Sequence, residues 1–171
     1  MTSTLAVLDG RQQIDFSFDD MMKYHGPGSP GGVAHAFKVM ERAFALLDPD
    51  GPPQRREITL RTAFGGPGAR DGFELVTRAV TQDRFTVDPA LARPELGRTR
   101  ERFVFEVGYR ERSVTLLLRE GFVSEEFIDL ARTEGRSDEQ EERLDLLKQQ
   151  MAERVMGSAA GDVYCDASAS D

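Results

Sequence analysis

The chain has 171 residues, of which 39% are hydrophobic and 30% charged, and its 30 acidic against 22 basic side chains give a formal net charge of −8. That length supports one domain with a real core and is short for two. The acidic balance repels a phosphate backbone, which argues against nucleic-acid binding, and no apolar run reaches the length that spans a bilayer.

The first ten residues lack a basic stretch followed by an apolar core, so no secretory signal is expected. The single cysteine, Cys165, cannot form an internal disulfide, which fits a reducing cytoplasm. Met1 to Gln13 has no clear period and reads as a loose arm or a strand that pairs elsewhere. Ser17 to Tyr24 reads as a short helix, with Ser17 as N-cap, Asp19 and Asp20 at the positive end of the dipole, and Gly26-Pro27-Gly28 as its stop.

Val33 to Leu47 carries the strongest helical signal. Val33, Phe37, Met40, Phe44 and Leu47 recur at steps of three and four, which puts them on one face. Glu57 to Phe64 alternates as a strand, and the turn Gly65-Gly66-Pro67-Gly68 leads into a helix expected from about Asp71 to Val80. Phe85 to Val87 suits a short strand and Pro89 to Arg98 a loop. Arg102–Val107 and Ser113–Arg119 read as a hairpin, whose second arm is apolar enough to be expected centrally with both faces covered.

Ser124 to Ala131 reads as a helix. Ser137 to Met156 is the last, opened by a capping box of Ser137 and Gln140. Its narrow seam of Leu144, Leu147, Met151 and Val155 packs either on its own sheet or on another protomer, so a homodimer is expected. The expected architecture is α+β, a mixed or antiparallel sheet covered by helices, in one domain over residues 1–157. Residues 158–171, rich in Ser, Ala, Gly and Asp, are expected to form a flexible tail.

The segment His25-Gly26-Pro27-Gly28-Ser29-Pro30-Gly31 resembles the His-Gly-His-x-Cys-Pro-Gly opening of the formylmethanofuran dehydrogenase E-subunit-like family. That family's Cys-x-x-Asp falls on Gly68-Ala69-Arg70-Asp71, and a later cysteine on Ala79. The resemblance covers roughly residues 14 to 125. It implies an α+β fold like the catalytic domain of glyceraldehyde-3-phosphate dehydrogenase, a dimer, and in many members a bound metal. Ser29, Gly68 and Ala79 stand where the family has cysteine, so only His25 and Asp71 keep metal-binding groups. A zinc site needs three or four such ligands, so zinc is disfavoured and no cofactor is required.

The two glycine-rich turns each open a helix, where backbone N–H groups hold anions or the glycines merely permit a tight turn. The residues expected to bind a small polar or anionic ligand are His25, Ser29, Gly31, Gly68, Arg70 and Asp71. His25 reads equally as a pocket residue and as a cation at a helix end. His35 reads as a packing residue, and Cys165 as a free thiol in the tail. Three roles follow as expectations: a ligand-binding protein with a degenerate metal site, an enzyme using His25 with Asp71, or a structural dimer.

Overall fold

The computed structural model describes residues 3–169. Its first two strands, β1 (Thr4–Asp9) and β2 (Gln12–Ser17), pair antiparallel as a separate two-stranded sheet. The segment expected as an arm or a strand is thus a strand that pairs with its own neighbour. Its turn uses Gly10 at φ +63°, a left-handed conformation that glycine adopts without steric cost. Ser17 then caps α1 (Phe18–His25) through a full capping box with Asp20, and Gly26, at φ +89°, ends it.

The main sheet has five strands in the order β4-β3-β5-β6-β7. These are β3 (Ile58–Thr62), β4 (Phe85–Val87), β5 (Val104–Tyr109), β6 (Arg112–Leu118) and β7 (Tyr164–Asp166). β3 and β4 run parallel; every other pair is antiparallel, so the sheet is mixed and the fold is α+β. Burial alternates along β3, and along β5 from Phe105 onward, with Val104 also buried. Ile58, Leu60, Phe105, Val107 and Tyr109 are buried, while Thr59 and Arg61 are exposed and Arg61 bridges Glu106 and Asp88 on the outer face.

The helices cover the inner face. α2 (Pro30–Leu47) lies against β5, β6 and β7, and it is flanked by α3 (Pro67–Thr77) and α5 (Asp138–Met156). α1 packs on α2 and α3, and α4 (Glu125–Arg132) packs on α5. Phe73 of α3 meets Phe85 and Phe105 at ring-centroid distances of 5.9 and 5.8 Å, which ties that helix to β4 and β5. The seam Leu144, Leu147, Met151 and Val155 is buried within the chain, with α5 docked along α2.

Four expectations are corrected. Both central helices begin earlier than the apolar periodicity indicates, at Pro30 and Pro67 rather than Val33 and Asp71. Proline at the first helical position has no N–H to lose and a preset φ, so the glycine-rich stretches are first helical turns. β6 is second from one edge of the sheet, not its centre, and only its inner face is covered: Leu116 and Leu118 are buried but Leu117 is half-exposed. Finally, residues expected as a flexible tail form α6 (Ala160–Val163) and β7, which pairs with β6 and buries Val163 and Tyr164 completely. Composition concealed this, because two buried side chains in a run of small polar residues leave no period.

The α2–α3 crossing sets the geometry of this layer. A Cβ added at Gly32 would lie 3.0 Å from the Ala69 nitrogen, and one at Gly68 would lie 3.0 Å from the Val33 nitrogen and collide with the Ser29 carbonyl oxygen. At Gly72 it would strike Ala36 at 2.9 Å and Met21 at 2.8 Å. Gly68→Ala should therefore cost about 2 kcal/mol or more, because the obstacle is backbone. Gly28→Ala, where nothing lies within 4 Å, should change stability by no more than about 0.5 kcal/mol. Urea unfolding of the two variants checks the contrast; equal midpoints would mean that the two helix backbones do not meet this closely.

Candidate functional site

The close crossing brings the starts of α2 and α3 side by side. Neither start is capped by a side chain. Gly66 has none to offer, and Ser29 occupies the N-cap of α2 without making a cap hydrogen bond. By contrast, Ser17, Ser124 and Ser137 all cap their helices. The hydroxyl of Ser29 and the early amides of both helices are therefore left for another partner.

They open on a cavity of about 540 Å³, within the range of small-molecule sites (roughly 300–1,000 Å³). Ser29, Gly31 and Gly32 line it from α2, and the Phe64–Gly68 connection lines it from the start of α3. Apolar walls come from Phe103, from Phe127 and Ile128 of α4, and from Met151 of α5. Met151 reaches this wall because Gly31 has no side chain: a Cβ there would lie 2.8 Å from its sulfur.

Arg98, Arg102, Arg132 and Lys148 also line the cavity, and no carboxylate does. Arg98 is paired with Glu125 at 3.1 Å and Asp129 at 2.6 Å, and Arg132 lies 3.9 Å from Glu101. Lys148 donates to the Gly28 carbonyl at 3.1 Å, and among the described residues Arg102 has no ion-pair or hydrogen-bond partner. Two cations without a carboxylate, added to two positive helix ends, make the cavity locally positive on an acidic protein.

His35 completes the wall. It is wholly buried, its ring lies 4.8 Å from Phe103, and Phe103 in turn stacks on Phe64 at 4.5 Å. Its Nδ1 is 2.8 Å from the Tyr164 hydroxyl, while its Nε2 is buried with no partner. Among the described residues that hydroxyl has no other hydrogen-bond partner. When the hydroxyl donates to Nδ1 the ring proton sits on Nε2; when Nδ1 carries the proton it donates to the hydroxyl oxygen. Burial lowers the His35 pKa from the ordinary 6.5 to about 3, so the ring is neutral at physiological pH.

Of the residues expected from sequence, the structure places Ser29, Gly31 and Gly68 in this cavity. His25 and Asp71 meet each other, Nδ1 to Oδ2 at 2.8 Å, but do not line it. That bond joins the last residue of α1 to the second turn of α3. Arg70 is exposed and does not line the cavity, whereas Arg102 and Lys148 do. His35, read as a packing residue, is both packed and part of the wall. The four cations escape a sequence reading because they lie in separate segments, and spacing within a segment carries no signal of their convergence. Cys165 sits in β7 and directs its thiol to the Leu117 carbonyl at 3.5 Å.

The residues present do not fit a zinc centre of the kind the resemblance implies. His25 and Asp71 already bond each other, and Ser29, Gly68 and Ala79 stand at the cysteine positions. Among the described residues, no three His, Cys, Asp or Glu side chains gather as a cation site. No protein-family model matches the chain, and no match is found among curated proteins.

Two measurements check this description. Ser137→Ala removes a cap and should cost about 1 kcal/mol, whereas Ser29→Ala, which breaks no cap bond, should leave the urea midpoint nearly unchanged. For His35, the unfolded chain binds a proton below about pH 6.5 while the folded protein does not until about pH 3. Stability therefore falls as pH drops through this window, by at most about 1.4 kcal/mol per pH unit from this group. His35→Gln should make the decline between pH 6 and pH 4 shallower than in the parent protein; an unchanged slope would mean the imidazole is not held neutral.

Proposed function

We propose that the protein binds a small organic anion in the cavity at the starts of α2 and α3. The observation that carries this reading is the lining itself: four cations and no carboxylate, on a chain whose acidic side chains outnumber its basic ones. Arg102 and Lys148 have no carboxylate partner among the described residues, so an external anion can pair with them. The uncapped helix starts and the unbonded Ser29 hydroxyl supply short-range donors beside these charges. The apolar share of the wall suits a ligand with a hydrocarbon or aromatic body rather than a compact inorganic ion.

This reading is compatible with kinship to the formylmethanofuran dehydrogenase E-subunit-like family, in a member whose metal ligands have been replaced and whose helix starts retain a binding role. It requires no second copy of the chain and no metal. The enzyme alternative rested on His25 with Asp71. Their bond supports a clamp between α1 and α3, because the pair stands outside the cavity where a substrate would lie.

Titration calorimetry with 4-phenylbutanoate, a monoanion with an apolar body, tests the proposal. Arg102→Ala and Lys148→Ala should each weaken binding about tenfold or more without lowering the urea midpoint. Arg70→Ala should leave binding unchanged, since that side chain stands clear of the cavity. Equal losses in all three variants would point to general surface attraction instead of this site.

A further inference from the structure

The cavity contains a polar feature that anion binding alone does not use. His35 Nε2 is a buried group without a partner, and leaving such a donor unmade opposes folding. It belongs to a wall residue, held in place by rings on two sides. Phe103 lies 4.8 Å from it and Tyr164 stands edge-on at 5.9 Å. A Tyr164 hydroxyl that donates to Nδ1 selects the tautomer that presents N–H at Nε2. The surrounding lining is aromatic and aliphatic, from Phe64, Phe103 and Phe127 to Met151.

We infer that the ligand is an amphipathic carboxylic acid whose apolar body carries a neutral acceptor oxygen, a ketone or an ether, that receives a hydrogen bond from His35 Nε2. This rests on the anion-binding reading and deepens it. The carboxylate lies against Arg102, Lys148 and the amides of Gly31 and Gly68, and the body fills the aromatic wall. The neutral imidazole suits this task. A charged ring would compete for the carboxylate and would not distinguish a ketone from an acid. A site that offers a buried donor discriminates against a molecule that lacks the matching acceptor, because the donor then stays unpaired.

The test compares two acids on the intact chain by calorimetry: 3-benzoylpropanoate, which carries a ketone beside its ring, and 4-phenylbutanoate, which has a methylene at the same place. The keto acid should bind the parent protein about tenfold more tightly. His35→Leu should abolish that preference, so that the two acids bind the variant with equal affinity. Tyr164→Phe, which frees the tautomer while keeping the ring, should reduce the preference and serves if His35→Leu does not fold. Equal affinities of the two acids for the parent protein, or a preference that survives His35→Leu, would overturn the inference and leave the anion site standing. If neither acid binds, the anion-binding reading fails, and this inference fails with it.

Discussion

The fold depends on the contact of two helix backbones. α2 and α3 approach so closely that Gly32 and Gly68 have no room for a side chain, and Gly72 fits only because Ala36 opposite it is small. Glycine within a helix lowers helical stability by roughly 0.5–1 kcal/mol relative to alanine. Gly31, Gly32, Gly68 and Gly72 therefore work against the very helices that contain them. Their presence is explained by what the closeness permits: continuous dispersion contact along the crossing, Met21 of α1 resting over Gly72, and Met151 of α5 resting over Gly31.

The same closeness produces the site. Two helices that cross near their first turns bring two positive dipole ends together, which is unfavourable unless something negative lies near. The other long helix, α5, has three carboxylates in its first turn and a serine cap, and α4 has two carboxylates and a cap. α2 and α3 have no acid in the first turn and no side-chain cap. Side-chain caps serve α1, α4 and α5, whereas α2 and α3, whose starts converge, have neither a side-chain cap nor a first-turn acid; the short α6 also lacks a side-chain cap but has Asp162 in its first turn. On the proposed reading, an external anion supplies what the sequence omits there.

Legibility followed the range of the interactions. Caps act within three residues, so Ser17, Ser124 and Ser137 identify three helix starts correctly. Alternation likewise identifies β3, β4 and the β5–β6 hairpin. The starts of α2 and α3 escape because glycine beside proline reads as turn chemistry, although Gly32-x-x-x-Ala36 and Gly68-x-x-x-Gly72 place small residues four apart, the spacing of a close helix contact. β7 is hidden because its partner, β6, lies more than forty residues earlier and supplies the pairing that its own composition does not suggest. Within the site, Ser29, Gly31 and Gly68 are legible as parts of helix starts. Arg98, Arg102, Arg132 and Lys148 are not, since they reach one cavity only after α4 and α5 have docked on α2.

The distribution of charge determines which anions the site can meet. A surface with an excess of carboxylates repels extended polyanions at long range, and that repulsion acts over about 8–10 Å at ordinary ionic strength. In the proposed role, a small monoanion feels the same field weakly and meets a cavity where Arg102 and Lys148 have no carboxylate partner among the described residues. In the proposed role, bulk charge and local charge of opposite sign act together as a filter that favours small singly charged molecules over nucleic acids and polyphosphates. The apolar lining sharpens the filter further, since an inorganic ion of the same charge would leave that surface uncovered and gain nothing from it.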